Sequence, residues 1–162
     1  MSRPEGRSDF TKFNVQFARV QMLPADFSVA LSATGQWTSQ SLLASEQIGL
    51  GGPDFGRAYD TSEVSGDKGI DGLVELRYTP ALPQDWIRST QFFAYYDIGK
   101  IWDNSDDSDL GHQSLASLGG GVRMRFPQNF TASLEVAQPL THDIASEEGR
   151  PTRVFFSVST HF

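Results

Sequence analysis

Apolar side chains recur at every second position along most of this chain, which is the spacing of β-strands with one greasy face; apolar residues at helical spacing are hard to find. From residue 27 to 37, Phe27, Val29, Leu31, Ala33, Gly35 and Trp37 alternate with Ser28, Ala30, Ser32, Thr34 and Gln36. Further on, Ala116, Leu118, Gly120, Val122, Met124 and Phe126 stand against Ser117, Gly119, Gly121, Arg123 and Arg125, and Phe130, Ala132, Leu134 and Val136 against Thr131, Ser133 and Glu135. Ile70, Val74, Leu76 and Tyr78 oppose Glu75 and Arg77, while Phe92, Ala94, Tyr96, Ile98 and Trp102 oppose Tyr95, Asp97 and Gly99. At the C-terminal end, Val154, Phe156, Val158, Thr160 and Phe162 are spaced by Arg153, Ser157, Ser159 and His161. The first segment, Phe13, Val15 and Phe17 followed by Val20 and Met22, slips phase once, which predicts a bulge. Altogether the pattern predicts about seven strands, most of them near the roughly 9 to 11 residues with which a tilted strand crosses a bilayer.

The connections carry a second pattern. Leu23-Pro24-Ala25-Asp26 and Pro127-Gln128-Asn129 are short, whereas residues 39–68, 103–114 and 139–152 are long and polar. Short turns at one end and long loops at the other are the habit of membrane barrels. The connection at 80–85 falls on the short side but is longer than that habit requires. Composition agrees, since hydrophobic residues make up only 38% of the 162 while aromatics reach 12%, a mixture suited to a β protein with one polar and one aromatic-rich face. No apolar run is long enough for a membrane helix, and the first residues lack the apolar core of a signal peptide. With 20 acidic and 13 basic side chains, a net charge of -7 and no basic run, nucleic acid is not an expected partner, because gripping phosphate backbones needs clustered Lys and Arg. The absence of cysteine excludes disulfides and thiolate metal sites.

Candidate chemistry is sparse. The glycines of Gly49-Leu50-Gly51-Gly52-Pro53-Asp54-Phe55-Gly56 could cradle a phosphate, but neither a following Gly-Lys-Ser/Thr nor an amphipathic helix accompanies them. Asp103, Asp106, Asp107 and Asp109 lack the turn glycine and closing glutamate of a calcium loop and read as a solvated acidic segment. His112, His142 and His161 are scattered, and Asn129-Phe130-Thr131 matches a glycosylation pattern short enough to arise by chance. No nucleophile elbow, zinc-protease motif or paired catalytic carboxylate occurs, so neither an enzyme nor a cofactor or metal site is expected.

Leu50-Gly51-Gly52-Pro53-Asp54-Phe55-Gly56-Arg57-Ala58-Tyr59, then Ser65-Gly66-Asp67-Lys68-Gly69 and Val74-Glu75-Leu76-Arg77-Tyr78, resemble the characteristic loop and next strand of the two-partner secretion translocators, the hemolysin-activator type of the BamA-like outer-membrane superfamily. That loop carries Val-Arg-Gly-Tyr/Phe; here Arg57 and Tyr59 stand in place, with Gly56 for the Val and Ala58 for the Gly. Phe93-Ala94-Tyr95-Tyr96-Asp97-Ile98-Gly99 is similar to the family's aromatic-x-Asp-x-Gly strand, and Ser114 to Arg123, Ala137-Gln138-Pro139-Leu140 and the terminal Phe162 follow in family order.

The resemblance implies a barrel of roughly 16 strands in the bacterial outer membrane, with the long loop folded into its lumen and POTRA domains ahead of it. It also implies an outer-membrane pore that secretes a partner polypeptide, surrounded by lipid, with Phe162 read by the barrel-assembly machinery. Within the barrel, Arg57 and Asp97 are expected to form a charge-assisted contact with Tyr59 beside it and Gly99 on the same strand, and the glycines Gly51, Gly52 and Gly56 to shape the loop. If the Ala58 position needs a positive φ, its Cβ would leave the loop tip less tightly wound. Glu75, Arg77, Arg123, Arg125, Glu135 and Arg153 are expected to line the lumen.

About seven strands cannot close such a barrel, and an open sheet in hydrocarbon leaves backbone groups unsatisfied. Residues 1–162 are therefore expected to be the C-terminal part of a larger all-β antiparallel transmembrane barrel, with the in-folded loop at 41–68, the terminal strand at 152–162 and no POTRA domain. Two alternatives stand beside this one: a BamA-like insertase barrel, and a small ligand-binding barrel closed by an eighth strand from residues 39–48 with its apolar face turned inward.

Overall fold

The computed structural model describes residues 6, 8–82, 86–104 and 112–160. Among these described residues nine strands occur in chain order: β1 (Lys12–Met22), β2 (Phe27–Thr38), β3 (Ile48–Leu50), β4 (Val64–Gly66), β5 (Lys68–Tyr78), β6 (Ser89–Trp102), β7 (His112–Arg125), β8 (Phe130–Pro139) and β9 (Arg153–Thr160). Seven of them make one antiparallel sheet, ordered β1-β2-β5-β6-β7-β8-β9, and the other two pair only with each other. Residues 39–48 add no strand to the wall, so the small closed barrel is not formed. Among the described residues, the sheet is an open meander whose edges are β1 and β9.

Alternation sets the two faces. Phe13, Phe17, Ile70, Phe92, Ile98 and Phe156 are exposed on one side, while on the other Asp71, Glu75, Asp97 and Ser117 are buried beneath the loop between β2 and β5. A face of exposed aliphatic and aromatic side chains in every strand is what a lipid-facing wall presents. Aromatic pairs gather towards its ends: Phe27 stacks on Tyr78 at 4.7 Å and Phe126 lies 5.4 Å from Phe130 at the short-turn end, and Phe13 lies 6.2 Å from Trp37 at the other.

The predicted bulge in β1 is absent. Its ladder with β2 runs unbroken from Lys12 opposite Thr38 to Met22 opposite Ser28. The phase slip in the sequence therefore changes which side chains face which way. Val20 and Met22 stand on the loop-covered side of the sheet, and Arg19 and Gln21 on the lipid side. There the two hydrogen-bond each other at 2.8 Å next to the turn, where a polar tip reaches the membrane interface.

Two short turns share one construction. Pro24-Ala25-Asp26-Phe27 and Pro127-Gln128-Asn129-Phe130 each place two consecutive residues at positive φ, 57° and 63° in the first, 66° and 58° in the second. Each is closed by a bond from the amide before the proline to the phenylalanine carbonyl, Leu23 to Phe27 at 2.9 Å and Phe126 to Phe130 at 2.8 Å. Asp and Asn tolerate the left-handed region better than most side chains, which suits them to the second position.

The apolar core lies between the loop and the inner face of the sheet. Leu50, Ala58, Tyr59 and Val64 from the loop pack with Leu73, Phe93, Tyr95, Ile101 and Leu115 from the wall. These wall residues interrupt the polar face, so the loop has an apolar seat. Burial of several such side chains, at roughly 1.5–3 kcal/mol each, supplies the docking energy.

Candidate functional site

Residues 51–63 form a compact tip on the β3–β4 hairpin. Gly51 donates to the Phe55 carbonyl at 3.1 Å, Gly52 to Gly56 at 3.3 Å, and Tyr59 to Gly56 at 2.8 Å. These amides are spent within the tip, which leaves no cradle for a phosphate. Gly51, Gly52 and Gly56 all have positive φ, at 108°, 107° and 71°. Ala58 does not and is fully buried, so its Cβ carries no backbone strain and fills a packed position.

The tip delivers Arg57 and Tyr59 to different walls. The Arg57 guanidinium passes over the ring of Tyr95, 4.4 Å from its centroid, and its Nη1 donates to Glu75 Oε2 at 2.8 Å. It does not pair with Asp97, which corrects the expected contact. Asp97 Oδ2 instead accepts the backbone N–H of Arg57 at 3.2 Å, and its Oδ1 accepts the amide and hydroxyl of Ser117 at 3.1 and 2.5 Å. The reason is reach: Asp97 sits directly under the tip and is filled by short-range donors, while the long arginine side chain extends past it to Glu75. Gly99, two residues along the same face, leaves room for Leu50; a Cβ there would lie 2.7 Å from its Cδ1.

Glu75 is the hub. It is fully buried and takes charge-assisted bonds from three arginines: Arg57, Arg77 Nε at 2.6 Å, and Arg123 through both terminal nitrogens at 2.8 and 2.9 Å. The fork of Arg123 is bidentate and lies 3.7 Å from the Phe93 ring centroid. Tyr95 donates its hydroxyl to Glu135 Oε1 at 2.7 Å, which orients the ring beneath Arg57. Arg153 Nη2 meets Asp60 at 2.9 Å and its Nε meets Glu147 at 3.3 Å. Hydrogen bonding from Ser146 first, and then from Arg153, holds the Asp60 carboxyl below the ordinary carboxylate range. Arg125 shares the face of Arg123 but stands exposed at the short-turn end.

Tyr59 faces the other way and ties the tip to the loop that follows β8. Its hydroxyl donates to the Ala116 carbonyl at 3.1 Å and accepts the amides of Thr141 and His142, each at 3.2 Å. Glu63 adds a bond to the Ala145 amide at 2.6 Å. At the base, fully buried Asp67 accepts from the amides of Leu42 at 2.9 Å and Asn104 at 2.8 Å and from Gln47 at 3.2 Å. Tyr59→Phe removes the acceptor for two amides, so docking of this loop is expected to weaken by about 1–3 kcal/mol. Amide hydrogen exchange at residues 141 and 142, in protein folded in detergent, checks this; unchanged protection would show that the hydroxyl does not hold the loop.

Between the tip and the β8–β9 wall lies a cavity of about 390 Å³, bordered by Arg57, Arg123, Glu135, Arg153 and Phe155. Sequence reasoning placed Glu75 and the arginines on this face but missed their convergence, and it missed the parts played by Ser117, Asp67 and Glu63. The signal for the first was present: Glu75 and Arg77 on β5 share a face with Arg123 on β7, with only β6 between the two strands. Phe162, His161, Asp106, Asp107 and Asp109 lie outside the described residues.

Proteins similar to this chain in sequence include transporters. The chain is 28% identical over 142 residues to the heme/hemopexin transporter protein HuxB of Haemophilus influenzae, covering 85% of this chain and 25% of that protein. It is 27% identical over 125 residues to the outer membrane transporter CdiB of Dickeya dadantii, covering 75% of this chain and 21% of the relative. Thus it spans about a quarter of the length of the curated relatives it matches. The fold matches the solved structure of CdiB from Acinetobacter baumannii with a TM-score of 0.68 at 22% identity, over 93% of this chain and 27% of the other. Kinship places the chain in the bacterial outer membrane. Because the model of haemolysin secretion/activation proteins ShlB/FhaC/HecB matches residues 1–124, the chain belongs to that family.

Proposed function

We propose that this chain is the lumen-facing wall and plugging loop of an outer-membrane pore that secretes a partner polypeptide, and that it catalyses no reaction. The observation that carries the reading is the convergence of Arg57, Arg77 and Arg123 on Glu75 beneath an in-folded hairpin. A loop seated on the inner wall obstructs passage, and a seat built partly from charged contacts can be exchanged for contacts with a passing chain. The cavity next to it presents both signs of charge, which suits an extended polypeptide of mixed sequence. Kinship to a secretion/activation family favours this pore over an insertase barrel. In this reading β1 and β9 pair with further strands of the same barrel, because open edges in hydrocarbon are costly. Lipid covers Phe13, Phe17, Ile70 and Phe156.

Fractionation of the natural gene product, combined with migration on a gel before and after boiling, tests the reading. Outer-membrane recovery with a heat-modifiable folded form, together with loss of the secreted partner when the gene is deleted, is the expected result. A folded, detergent-independent soluble product, or secretion unaltered by deletion, would overturn it.

A further inference from the structure

Among the described residues, the lipid-facing side of the seven wall strands carries no acidic side chain, although the chain as a whole has 20 acidic residues against 13 basic ones. Its cationic groups sit only at the ends. Arg19 lies by a short turn, while Lys68, Lys100 and His112 lie together at the long-loop end on the adjacent strands β5, β6 and β7. Two of the chain's three lysines are thus in this one place.

Register brings them around a tryptophan. Lys68 and His112 are both direct cross-strand partners of Trp102. Lys100 lies two residues from Trp102 on the same face, with its Nζ 5.4 Å from the indole centroid. The lipid-side orientation is fixed by the neighbours: Gly69 and Gly99 turn the other way, towards Ile48 and Leu50 of the loop. Directly below, Ile70 and Ile98 are exposed at 58% and 50%, so the lysines cap an apolar band. Neither lysine has an ion-pair partner among the described residues.

Cations above exposed isoleucines and beside an aromatic belt lie at head-group depth. Long loops face outward in barrels of this kind, so this end meets the outer leaflet. We propose that Lys68 and Lys100, with His112 beside them, bind a phosphate of a phosphorylated glycolipid in the outer leaflet of the outer membrane, its acyl chains lying on Ile70 and Ile98 and its sugar against Trp102. Diagonal neighbours across a strand pair stand about 7–8 Å apart, close enough for two flexible lysine side chains to converge on one phosphate. The sugar explains the tryptophan, and positive charge that has no ion-pair partner among the described residues explains the preference for a phosphorylated lipid.

The test measures retention of diphosphorylated lipid A by the natural full-length gene product in detergent micelles, by native mass spectrometry. Dephosphorylated lipid A, phosphatidylglycerol and inorganic phosphate serve as competitors. Lys68→Gln combined with Lys100→Gln is expected to lower affinity on the order of tenfold, as two charges near an anionic surface warrant, while Lys68→Arg with Lys100→Arg retains it. Equal retention by the glutamine and wild-type proteins would overturn the proposal, as would equal binding of the dephosphorylated lipid. Equal competition by phosphatidylglycerol would reduce the site to general anionic attraction, and equal competition by inorganic phosphate would make it a free-anion site; either overturns it. If the double glutamine protein loses its heat-modifiable form, Lys100→Gln alone against Lys100→Arg reads the same difference. No secretion is measured, so failure here and failure of the pore reading are separable.

Discussion

Glu75→Ala is expected to cost about 3–5 kcal/mol, the usual penalty for removing one partner of a buried ion pair, and to release the in-folded loop. Three guanidinium groups converge on this carboxylate, and it is fully buried while they are 15%, 27% and 31% exposed. Without it, three like charges stand within a few ångströms of one another. Their remaining partners are weaker: the Tyr95 ring for Arg57, and Gln91 at 3.2 Å with the Phe93 ring for Arg123. Glu75→Gln is expected to recover little, because its amide N–H groups would face donors. A charge swap of Arg57 with Asp97 should not restore the wild type, since their side chains do not pair, and Glu75→Arg with Arg57→Glu should also fail because Arg77 and Arg123 remain. Glu46→Gln is the control: its pair with Lys12 at 2.9 Å is half-exposed and worth about 0–1 kcal/mol. Urea titration of the heat-modifiable form measures all of these. An alanine variant as resistant as the Glu46 control would remove Glu75 from its place as the hub.

Much of the wall was legible because a two-residue period survives wherever one face meets lipid. The segments at 27–37, 92–102 and 116–126 correspond closely to β2, β6 and β7, and Asp97 falls on the inner face as alternation requires. Failure came where a second surface intervenes. Leu73, Phe93, Ile101 and Leu115 are apolar on the nominally polar face because the loop packs there, and no period within a single strand announces a cover supplied from elsewhere. At Val20 and Met22 the phase slip is a change of face and not of register, and only the ladder with β2 distinguishes the two. The resemblance implies a contact between Arg57 and Asp97, whereas side-chain length and the short-range donors already filling Asp97 decide for Glu75. The repeated Pro-x-Asp/Asn-Phe of the two short turns was in plain view and would have fixed their geometry.

Gly51→Ala is expected to undock the loop tip while leaving the wall intact. Gly51 has φ of 108°, which side-chain-bearing residues rarely adopt at a cost of about 1–3 kcal/mol, and an added Cβ would lie 2.1 Å from the Asp60 carbonyl oxygen. That oxygen belongs to backbone which itself accepts from Glu63 at 3.1 Å, so it cannot step aside without opening the turn. Gly51 also receives the Ser62 amide on its own carbonyl at 3.3 Å, and the two ends of the tip therefore separate together. Arg57 would then leave Glu75, but Arg77 and Arg123 stay, and the wall keeps a neutralised carboxylate. The two variants should consequently differ: Glu75→Ala lowers resistance to urea and frees the loop, while Gly51→Ala frees the loop with little change in urea resistance. Limited proteolysis of the folded protein in detergent reads the difference, with new cleavage between residues 51 and 63 expected in the Gly51 variant. Ala58→Gly supplies the contrast, because Ala58 has no positive φ to relieve and its buried methyl would be lost; its tip should be no more tightly held than the wild type. A Gly51→Ala protein as resistant to cleavage as wild type would mean that the tip is held by its apolar seat alone and not by its winding.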